Sequence, residues 1–346
     1  MRQQYVMKTI ATLPNRSRNV RIHRRLRPLP APSTVKRLLI NRILVPIDFS
    51  PNSLEALQFV APWLRSFGAE LHLAYVSAPE VPVAGLAAMP IILSEHESNV
   101  RVHAKMIRAA SELQPSKIHL LQGQPYKEIC QLARDLKIDL IVIATRGQTG
   151  LRHVLLGSTA ERVVRYSPCP VFVVRPRKRA KQNGQRSEAS LRFKKILVPV
   201  DFSKCSKEGL DYARKISERL GSKLVLMHSI CPAYYVSNDE YARYDFPEVL
   251  RRCEAVAATK LRHLTAGARR SSMEIDIPKT FGNAGLQICA RAEKLGVDLI
   301  VTSTHGRTGL KHALLGSTAE YVVRHAPCSV LVVPSHKRPP LNGEKP

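Results

Sequence analysis

The chain has 346 residues, enough for two domains of ordinary size, and 44% of them are hydrophobic, enough to give each domain a core. Its net charge is +27, but +20 of it lies in residues 1–40, 175–195 and 335–346, so the rest of the chain is nearly balanced. No apolar run reaches the roughly 18 residues of a membrane span, so we expect no membrane-spanning helix. Seven cysteines occur without a C-x-x-C pair or Cys/His ligand spacing, which indicates a reducing cytoplasm with neither a structural disulfide nor a zinc site.

The first forty residues are basic, contain proline and carry no acidic residue. They lack the apolar core of a secretory signal, although the arginines and the missing acids would suit a transit peptide. A disordered extension, or translation begun upstream of a natural start such as Met7, explains the same composition. We therefore treat residues 1–40 as a basic, disordered extension.

Residues 41–174, which we take as domain one, show strands alternating with helices. Apolar runs predict buried strands, and runs with a 3.6-residue apolar period predict helices. The predicted elements are a strand from Asn41 to Asp48, a helix at Ser53–Phe67, a strand at Glu70–Val76, a helix at Ser94–Leu113, a strand at Lys117–Leu121, a helix at Tyr126–Leu136, a strand at Asp139–Ala144, a helix that opens at Ser158 and a strand at Val171–Val174.

The stretch Asp139–Val174 recurs as Asp298–Val333, with 25 of 36 positions identical. In both copies a strand runs into a loop that contains glycines, and the loop runs into a helix that opens with Ser-Thr-Ala-Glu. Residues 196–334, taken as domain two, repeat the order of elements after the basic linker 175–195, and a tail of residues 335–346 follows. Such self-similarity indicates that one structural unit is present twice.

Alternating strands and helices predict a parallel sheet with helices on both faces. With right-handed crossovers, each copy becomes a doubly wound, Rossmann-like, five-stranded α/β unit, and the chain carries two of them in tandem. Such sheets bind ligands beyond the carboxyl ends of their strands, where the strand order reverses. Asp48 and Asp201 end the first strand of each copy, and the glycine loop follows the fourth strand. Both should therefore lie at one edge, where a carboxylate can meet a nucleoside and backbone N–H groups can meet phosphates.

Both copies resemble the universal stress protein family over nearly their whole length. The resemblance rests on the sequences VPIDFS and VPVDFS at the first strands, on G-x-P at Gly123, and on G-S-T-A-E-x-V-V-R-x-x-P-C late in each copy. It implies a tandem member with ATP as the expected ligand, and it leaves Mg²⁺ open as an accompanying ion. It also implies a role in stress survival, in which ATP biases partner or oligomer contacts.

The resemblance also implies nucleotide-binding positions. Nucleotide-binding members carry G-x2-G-x9-G followed by Ser or Thr, and the first of these glycines is replaced here by Ala144 and by Ser303. A Cβ at that position would restrict the close approach of a phosphate. The residues on the family's positions are Asp48, Val76, Ala144, Gly147, Gly157 and Ser158 in copy one, and Asp201, Ser229, Ser303, Gly306, Gly316 and Ser317 in copy two, with Val76 and Ser229 offering backbone groups to the adenine.

Helix capping offers a second explanation of the loop residues. Ser158 stands three residues before Glu161, and Ser317 stands three residues before Glu320, which is the pattern of a capping box. Capping therefore explains both serines as well as phosphate contact does. The recurrence of glycine, serine and helix start at identical spacing favours an anion site.

The sequence contains no P-loop, no nucleophile elbow and no carboxylate cluster for metals, so we expect binding, with at most slow, incidental ATP hydrolysis. An interaction scaffold of the same fold that binds no nucleotide is the alternative, and the replacements at Ala144 and Ser303 support it. Nucleic-acid binding through the basic arms ranks last, because the arms lack interleaved aromatic residues for stacking.

The last strands of the two copies, Val171–Val174 and Val330–Val333, are predicted sheet edges. By the same resemblance they pair with each other and form an intramolecular pseudo-dimer, with a homo-oligomer left open. The sequence does not identify a protein partner.

Overall fold

A computed structural model describes residues 40–77, 89–145, 156–175, 193–230, 246–266, 273–277, 283–306 and 315–335. The N-terminal extension, most of the linker and Gly147 lie outside these residues. The strands are β1 (Arg42–Pro46), β2 (Glu70–Ser77), β3 (Lys117–Gln122), β4 (Leu140–Ala144), β5 (Val171–Val174), β6 (Lys195–Pro199), β7 (Lys223–Met227), β8 (Met273–Asp276), β9 (Leu299–Ser303) and β10 (Ser329–Val333). The helices are α1 (Pro51–Phe67), α2 (Met89–Ala109), α3 (Pro125–Asp135), α4 (Ser158–Tyr166), α5 (Lys204–Leu220), α6 (Phe246–Thr265), α7 (Ala284–Leu295) and α8 (Ser317–His325).

These strands form one sheet in the order β3-β2-β1-β4-β5-β10-β9-β6-β7-β8. Within each half the neighbouring strands are parallel, as predicted. In the middle β5 and β10 run antiparallel, with Val330 opposite Val173 and Val332 opposite Val171. The expected pairing of the two last strands is therefore confirmed, and it joins the two parallel halves into a single mixed sheet.

The strand order reverses at the first strand of each half. β1 lies between β2 and β4, and β6 lies between β7 and β9. The chain leaves β1 toward β2 and β3 and then returns to β4 on the other side, which opens a crevice at the carboxyl ends of β1 and β4. The second half has the same crevice between β6 and β9. Asp48 and Asp201 lie at these crevices, as do the described ends of the two glycine loops.

The sheet is covered on both faces, and β4 shows this clearly. All five of its residues are buried. Leu140 and Val142 belong to the core on one face of the sheet, and Ile141 and Ile143 belong to the core on the other. Successive side chains of a strand point to opposite faces, so a strand with helices on both sides needs a continuous apolar run.

The helix α1 begins at Pro51, earlier than the predicted Ser53, and α5 begins at the matching residue of copy two, Lys204. Ser50 caps α1, because its side chain accepts a hydrogen bond from the backbone N–H of Ser53 at 3.1 Å. Ser203 caps α5 in the same way. A serine cap satisfies one of the unpaired N–H groups of the first turn, so the helix extends back to it.

An aromatic cluster fills the space where the two halves meet. The Trp63 side chain is fully buried, and its ring centroid lies 5.4 Å from that of Phe172 and 5.8 Å from that of Phe193. Phe193 comes from the end of the basic linker and immediately precedes the second half. The end of the linker therefore supplies part of the core.

Candidate functional site

Two residues past the end of each first strand lies an aspartate whose carboxylate is held by the turn that follows. Oδ1 of Asp48 accepts a hydrogen bond from the backbone N–H of Ser50 at 3.0 Å, and Oδ1 of Asp201 accepts one from Ser203, also at 3.0 Å. Both aspartates are half-buried. Because these serines also cap α1 and α5, the carboxylates are tied to rigid elements at the mouth of the crevice.

The residue after each aspartate has a strained backbone. Phe49 has a φ of 59° and Phe202 a φ of 67°, the left-handed region that bulky residues avoid. Their rings pack on an aromatic residue near the carboxyl end of the neighbouring strand. The ring centroid of Phe49 lies 5.5 Å from that of Tyr75 in β2, and that of Phe202 lies 4.5 Å from that of His228, the residue after β7. Strain of this kind costs on the order of 1–3 kcal/mol and clusters at functional sites. Its presence in both copies supports a site at this edge.

In both halves a backbone hydrogen bond joins the two ends of the glycine loop, and we call this closure the neck of the loop. The backbone N–H of Gly157 donates to the carbonyl oxygen of Thr145 at 2.6 Å, and that of Gly316 donates to Thr304 at 2.7 Å. A Cβ on Gly316 would lie 3.3 Å from the carbonyl oxygen of Thr304. A larger residue at this neck would push against the backbone of the opposite strand end.

In copy two the loop meets the aspartate directly. A Cβ on Gly306 would lie 2.7 Å from Oδ2 of Asp201, which is closer than real Cβ atoms come. A Cβ on Gly316 would in turn lie 3.9 Å from the backbone nitrogen of Gly306. The fold thus brings Asp201, Gly306 and Gly316 to one place, although more than one hundred residues separate the first from the others. The copy-one counterpart of Gly306 is Gly147, which lies outside the described residues.

The capping-box prediction is wrong. The N-cap residues of α4 and α8 are Gly157 and Gly316, and neither helix has a side-chain capping hydrogen bond within the described chain. Ser158 and Ser317 are the first helical residues, and both are exposed. The cap is therefore the glycine before each serine, and the backbone N–H of that glycine is bonded to a carbonyl oxygen across the loop. The first N–H groups of α4 and α8 therefore face the crevice beside an exposed hydroxyl, an arrangement that suits an anion.

The two residues that replace the first glycine behave differently. Ala144 is only 7% exposed, and its methyl group is part of the core. The hydroxyl of Ser303 donates to the carbonyl oxygen of His305 at 2.9 Å, so it stabilises the loop itself. The Ala144 side chain therefore packs in the core.

Val76 is the second-last residue of β2, and its counterpart Ser229 lies two residues past the end of β7. The Ser229 hydroxyl donates to Oε1 of Gln287 at 2.5 Å. Gln287 lies in the first turn of α7 and is buried, with 9% exposure. The sequence analysis missed Gln287, because a glutamine within an amphipathic helix carries no signal of its own.

The described residues offer neither a metal centre nor an activated thiol at this edge. No group of three His, Cys, Asp or Glu residues among them could hold a metal ion. Burial raises the pKa of the Cys205 thiol, and the carboxylates of Glu208 and Asp201 raise it further. Cys205 therefore stays protonated at neutral pH and is a poor nucleophile. Nor is any helix of these residues long and apolar enough to cross a membrane.

Comparison with known proteins agrees with this fold. The model of the universal stress protein family matches residues 40–175 and 192–334. A universal stress protein of Methanocaldococcus jannaschii is 36% identical over 145 residues, which cover 41% of this chain and 85% of that protein. A universal stress protein of Mycolicibacterium smegmatis is 26% identical over 301 residues, which cover 84% of this chain and 96% of that protein.

The crystal structure of a universal stress protein from Archaeoglobus fulgidus superposes with a TM-score of 0.56 at 22% identity. The match covers 86% of this chain and 97% of that one, so the likeness in fold extends through both halves. Together with the two matches of the family model, it accounts for the repeated sequence and for the paired halves of the sheet. The chain belongs to the universal stress protein family, as a member that carries two copies of the family's fold in tandem.

Proposed function

We propose that this protein is an ATP-binding regulatory protein that acts in stress survival, with one candidate nucleotide site in each half. The observation that carries the proposal is the convergence of Asp201, Gly306 and Gly316 at the crevice of copy two. A carboxylate can accept hydrogen bonds from ribose hydroxyls, and the exposed first turn of α8 can donate to phosphates. The same elements recur in copy one as Asp48 and Gly157.

The proposed role is binding without efficient turnover. Phosphoryl transfer needs charged groups placed on the transferring phosphate and a group that orients the nucleophile. The described residues at the edge supply a carboxylate, hydroxyls and backbone donors. We therefore propose that ATP acts as a ligand that favours one arrangement of loop and edge, and so biases contacts with other proteins or with further copies of the chain.

A reducing compartment suits this proposal. The six cysteines within the described residues are free thiols. Free thiols persist where glutathione and thioredoxin keep them reduced, as in the cytoplasm. We therefore place the protein there.

The decisive experiment measures how many nucleotides each protein molecule binds. Purified protein is denatured and analysed by mass spectrometry for bound nucleotide, and ATP is then titrated by calorimetry. The wild type should bind two equivalents, Gly157→Val or Gly316→Val should bind one, and the double variant none. Both glycines have negative φ, −70° and −71°, so valine adds bulk at the anion position without forcing a left-handed backbone.

Alanine variants at the same two glycines control for the size of the added side chain. Gly157→Ala and Gly316→Ala add one methyl group each and should weaken ATP binding less than valine does. Thermal unfolding followed by the fluorescence of Trp63 checks that each variant is folded. A wild type that binds no ATP would rule out the proposal.

One observation favours the alternative, an interaction scaffold that binds no nucleotide. The loop of copy two is already held by two internal bonds, from Ser303 to His305 and from Gly316 to Thr304. The described ends of this loop are thus held in place without a phosphate. If copy two binds no ATP and the protein still associates with partners, this alternative is supported.

A further inference from the structure

The candidate site of copy two is closed on the side of β10. The backbone N–H of Thr304 donates to the carbonyl oxygen of Val333 at 3.1 Å. The backbone N–H of Ser335 donates to Oγ1 of Thr304 at 3.2 Å, and the Ser335 hydroxyl lies 3.3 Å from Nδ1 of His305. The chain that follows β10 thus occupies this side. A nucleotide with a phosphate at Gly316 therefore extends the other way, over the ends of β6 and β7.

The Ser229 hydroxyl is a polar group that such a ligand can meet beyond Asp201. It is half-buried just past the end of β7, next to β6 in the sheet. Its hydrogen is donated to Oε1 of Gln287. A hydroxyl has a single hydrogen and two lone pairs, so a hydroxyl whose hydrogen is used acts toward a ligand as an acceptor.

Gln287 is itself held in place by the start of α7. The side chain of Asn283 caps this helix, accepting hydrogen bonds from the N–H groups of Gly285 at 2.8 Å and Leu286 at 3.3 Å. Gln287 lies in the capped turn and is buried. The direction of the Ser229 hydroxyl is therefore set by a rigid neighbour.

Copy one has no equivalent pair. The register of the first two strands is the same in both halves, Pro46 opposite Ala74 and Pro199 opposite Met227, so Val76 takes the place of Ser229. Glu128 takes the place of Gln287 by its position in α3. A valine side chain makes no hydrogen bond, so at this position copy one presents only the backbone groups of Val76.

We propose that Ser229, positioned by Gln287, selects a purine with a 6-amino group over one with a 6-oxo group in copy two, a discrimination that copy one lacks. The inference rests on the proposed nucleotide function. The amino group of adenine is a donor and matches the Ser229 oxygen, whereas the carbonyl of a 6-oxo purine is an acceptor and opposes it. A site that forms a hydrogen bond with the 6-amino group and none with the 6-oxo group discriminates between the two purines, because the mismatched polar groups lose their hydrogen bonds on binding.

The test compares ATP with inosine triphosphate, which differs at the 6-position. The Gly157→Val background isolates copy two, and both nucleotides are titrated by calorimetry. Copy two should prefer ATP by roughly five- to tenfold, the effect of about one hydrogen bond. Ser229→Val, which restores the residue of copy one, should bring the ratio near one, with Ser229→Ala as a smaller second variant.

Variants of Gln287 separate positioning from packing. Gln287→Glu keeps an acceptor for the Ser229 hydrogen and should keep the preference, whereas Gln287→Leu removes the acceptor and should reduce it. A purely structural role would change both affinities equally and leave their ratio as it was.

The outcomes distinguish this inference from the proposed function. A ratio that Ser229→Val leaves unchanged, or a preference for inosine triphosphate, overturns the inference while ATP binding stands. ATP binding confined to copy one overturns it as well. If the wild type binds no ATP, both the inference and the proposed function are ruled out.

Discussion

The guanidinium of Arg175, the residue after β5, donates to the carbonyl oxygen of Ala326 at 2.6 Å, where α8 of the other half ends. It also donates to the carbonyl oxygens of Val323 at 3.1 Å and Arg324 at 2.8 Å. These are the carbonyl groups that a helix C-terminus leaves without intrahelical partners, and a cation there also complements the helix dipole. One side chain of the first half thus caps a helix of the second.

Arg175→Ala should therefore destabilise the protein, by about 2 kcal/mol, because charge-assisted hydrogen bonds at a partly buried site are lost. Urea unfolding followed by Trp63 fluorescence measures the change. Glu161→Gln is the matched control at the same junction, because it weakens the half-buried ion pair of Glu161 with Arg324, in which Nη2 and Oε2 lie 2.9 Å apart. That change should cost less than about 1 kcal/mol. Equal effects of the two variants would contradict the prediction.

Phe193→Ala should lower stability by about 3–5 kcal/mol, the usual cost of truncating a buried phenylalanine. Phe193 is 6% exposed, and its ring lies 5.8 Å from Trp63 and 5.6 Å from Phe172. Phe193→Leu keeps most of the volume and should cost clearly less. Because Trp63 borders the cavity, its emission should also change in the folded alanine variant. A cost below about 1 kcal/mol would mean that the linker end does not contribute to the joint core.

Gly209→Ala should stabilise the protein by up to about 1 kcal/mol, because alanine replaces glycine inside a helix. A Cβ on Gly209 would meet its nearest neighbour, the backbone nitrogen of Ser303, at an ordinary 3.7 Å. Copy one carries Ala56 at this place. Gly285→Ala in α7 is the contrasting variant, because a Cβ there would lie 2.6 Å from Cδ1 of Tyr321. Thermal unfolding should show a gain for the first variant and a loss for the second.

Two histidines in the first half predict how stability depends on pH. Nδ1 of His72 lies 3.1 Å from Nε2 of His119, and His72 is buried. Burial lowers the pKa of His72, a change that Glu70 opposes and that Arg42 and Lys117 reinforce. Burial also lowers the pKa of His119, with His72 and Lys117 adding to the effect. The folded protein therefore favours the neutral form of both rings.

The sign follows from proton uptake. Above the unfolded pKa of about 6.5, both rings are neutral in the folded and unfolded chains. As pH falls below that value, the unfolded chain binds protons that the folded chain does not, so the free energy of unfolding decreases until the lowered folded pKa is reached. Urea unfolding at pH 7.5 and at pH 5 should show the loss. His72→Val, the residue of copy two at this position, should reduce it, and an unchanged pH dependence in that variant would contradict the assignment.

The elements that sequence reasoning recovered are those whose cause is local. The continuous apolar run at Leu140–Ala144 indicates a buried strand, and all five residues are buried. Gly68 indicates the end of a helix, because glycine readily adopts a left-handed backbone, and its φ is 67°. The start of α4 at Ser158 was also recovered, but its cap was assigned to the wrong residue, because the cap depends on a contact across the loop. Ser158 has the local pattern of a cap, but the cap is Gly157, held by a bond to Thr145 across the loop.

That the chain contains two copies of one α/β unit can be inferred from the amino-acid sequence alone, because the repeat, the apolar periodicity and the matching residues Asp48 and Asp201 are visible there. Which distant groups contact each other is visible only in the folded protein. Gln287 orients Ser229 from 58 residues away, and Arg175 reaches Ala326 from 151 residues away. Such contacts depend on how helices lie against the sheet and how the two halves join, and no local preference of either partner specifies them.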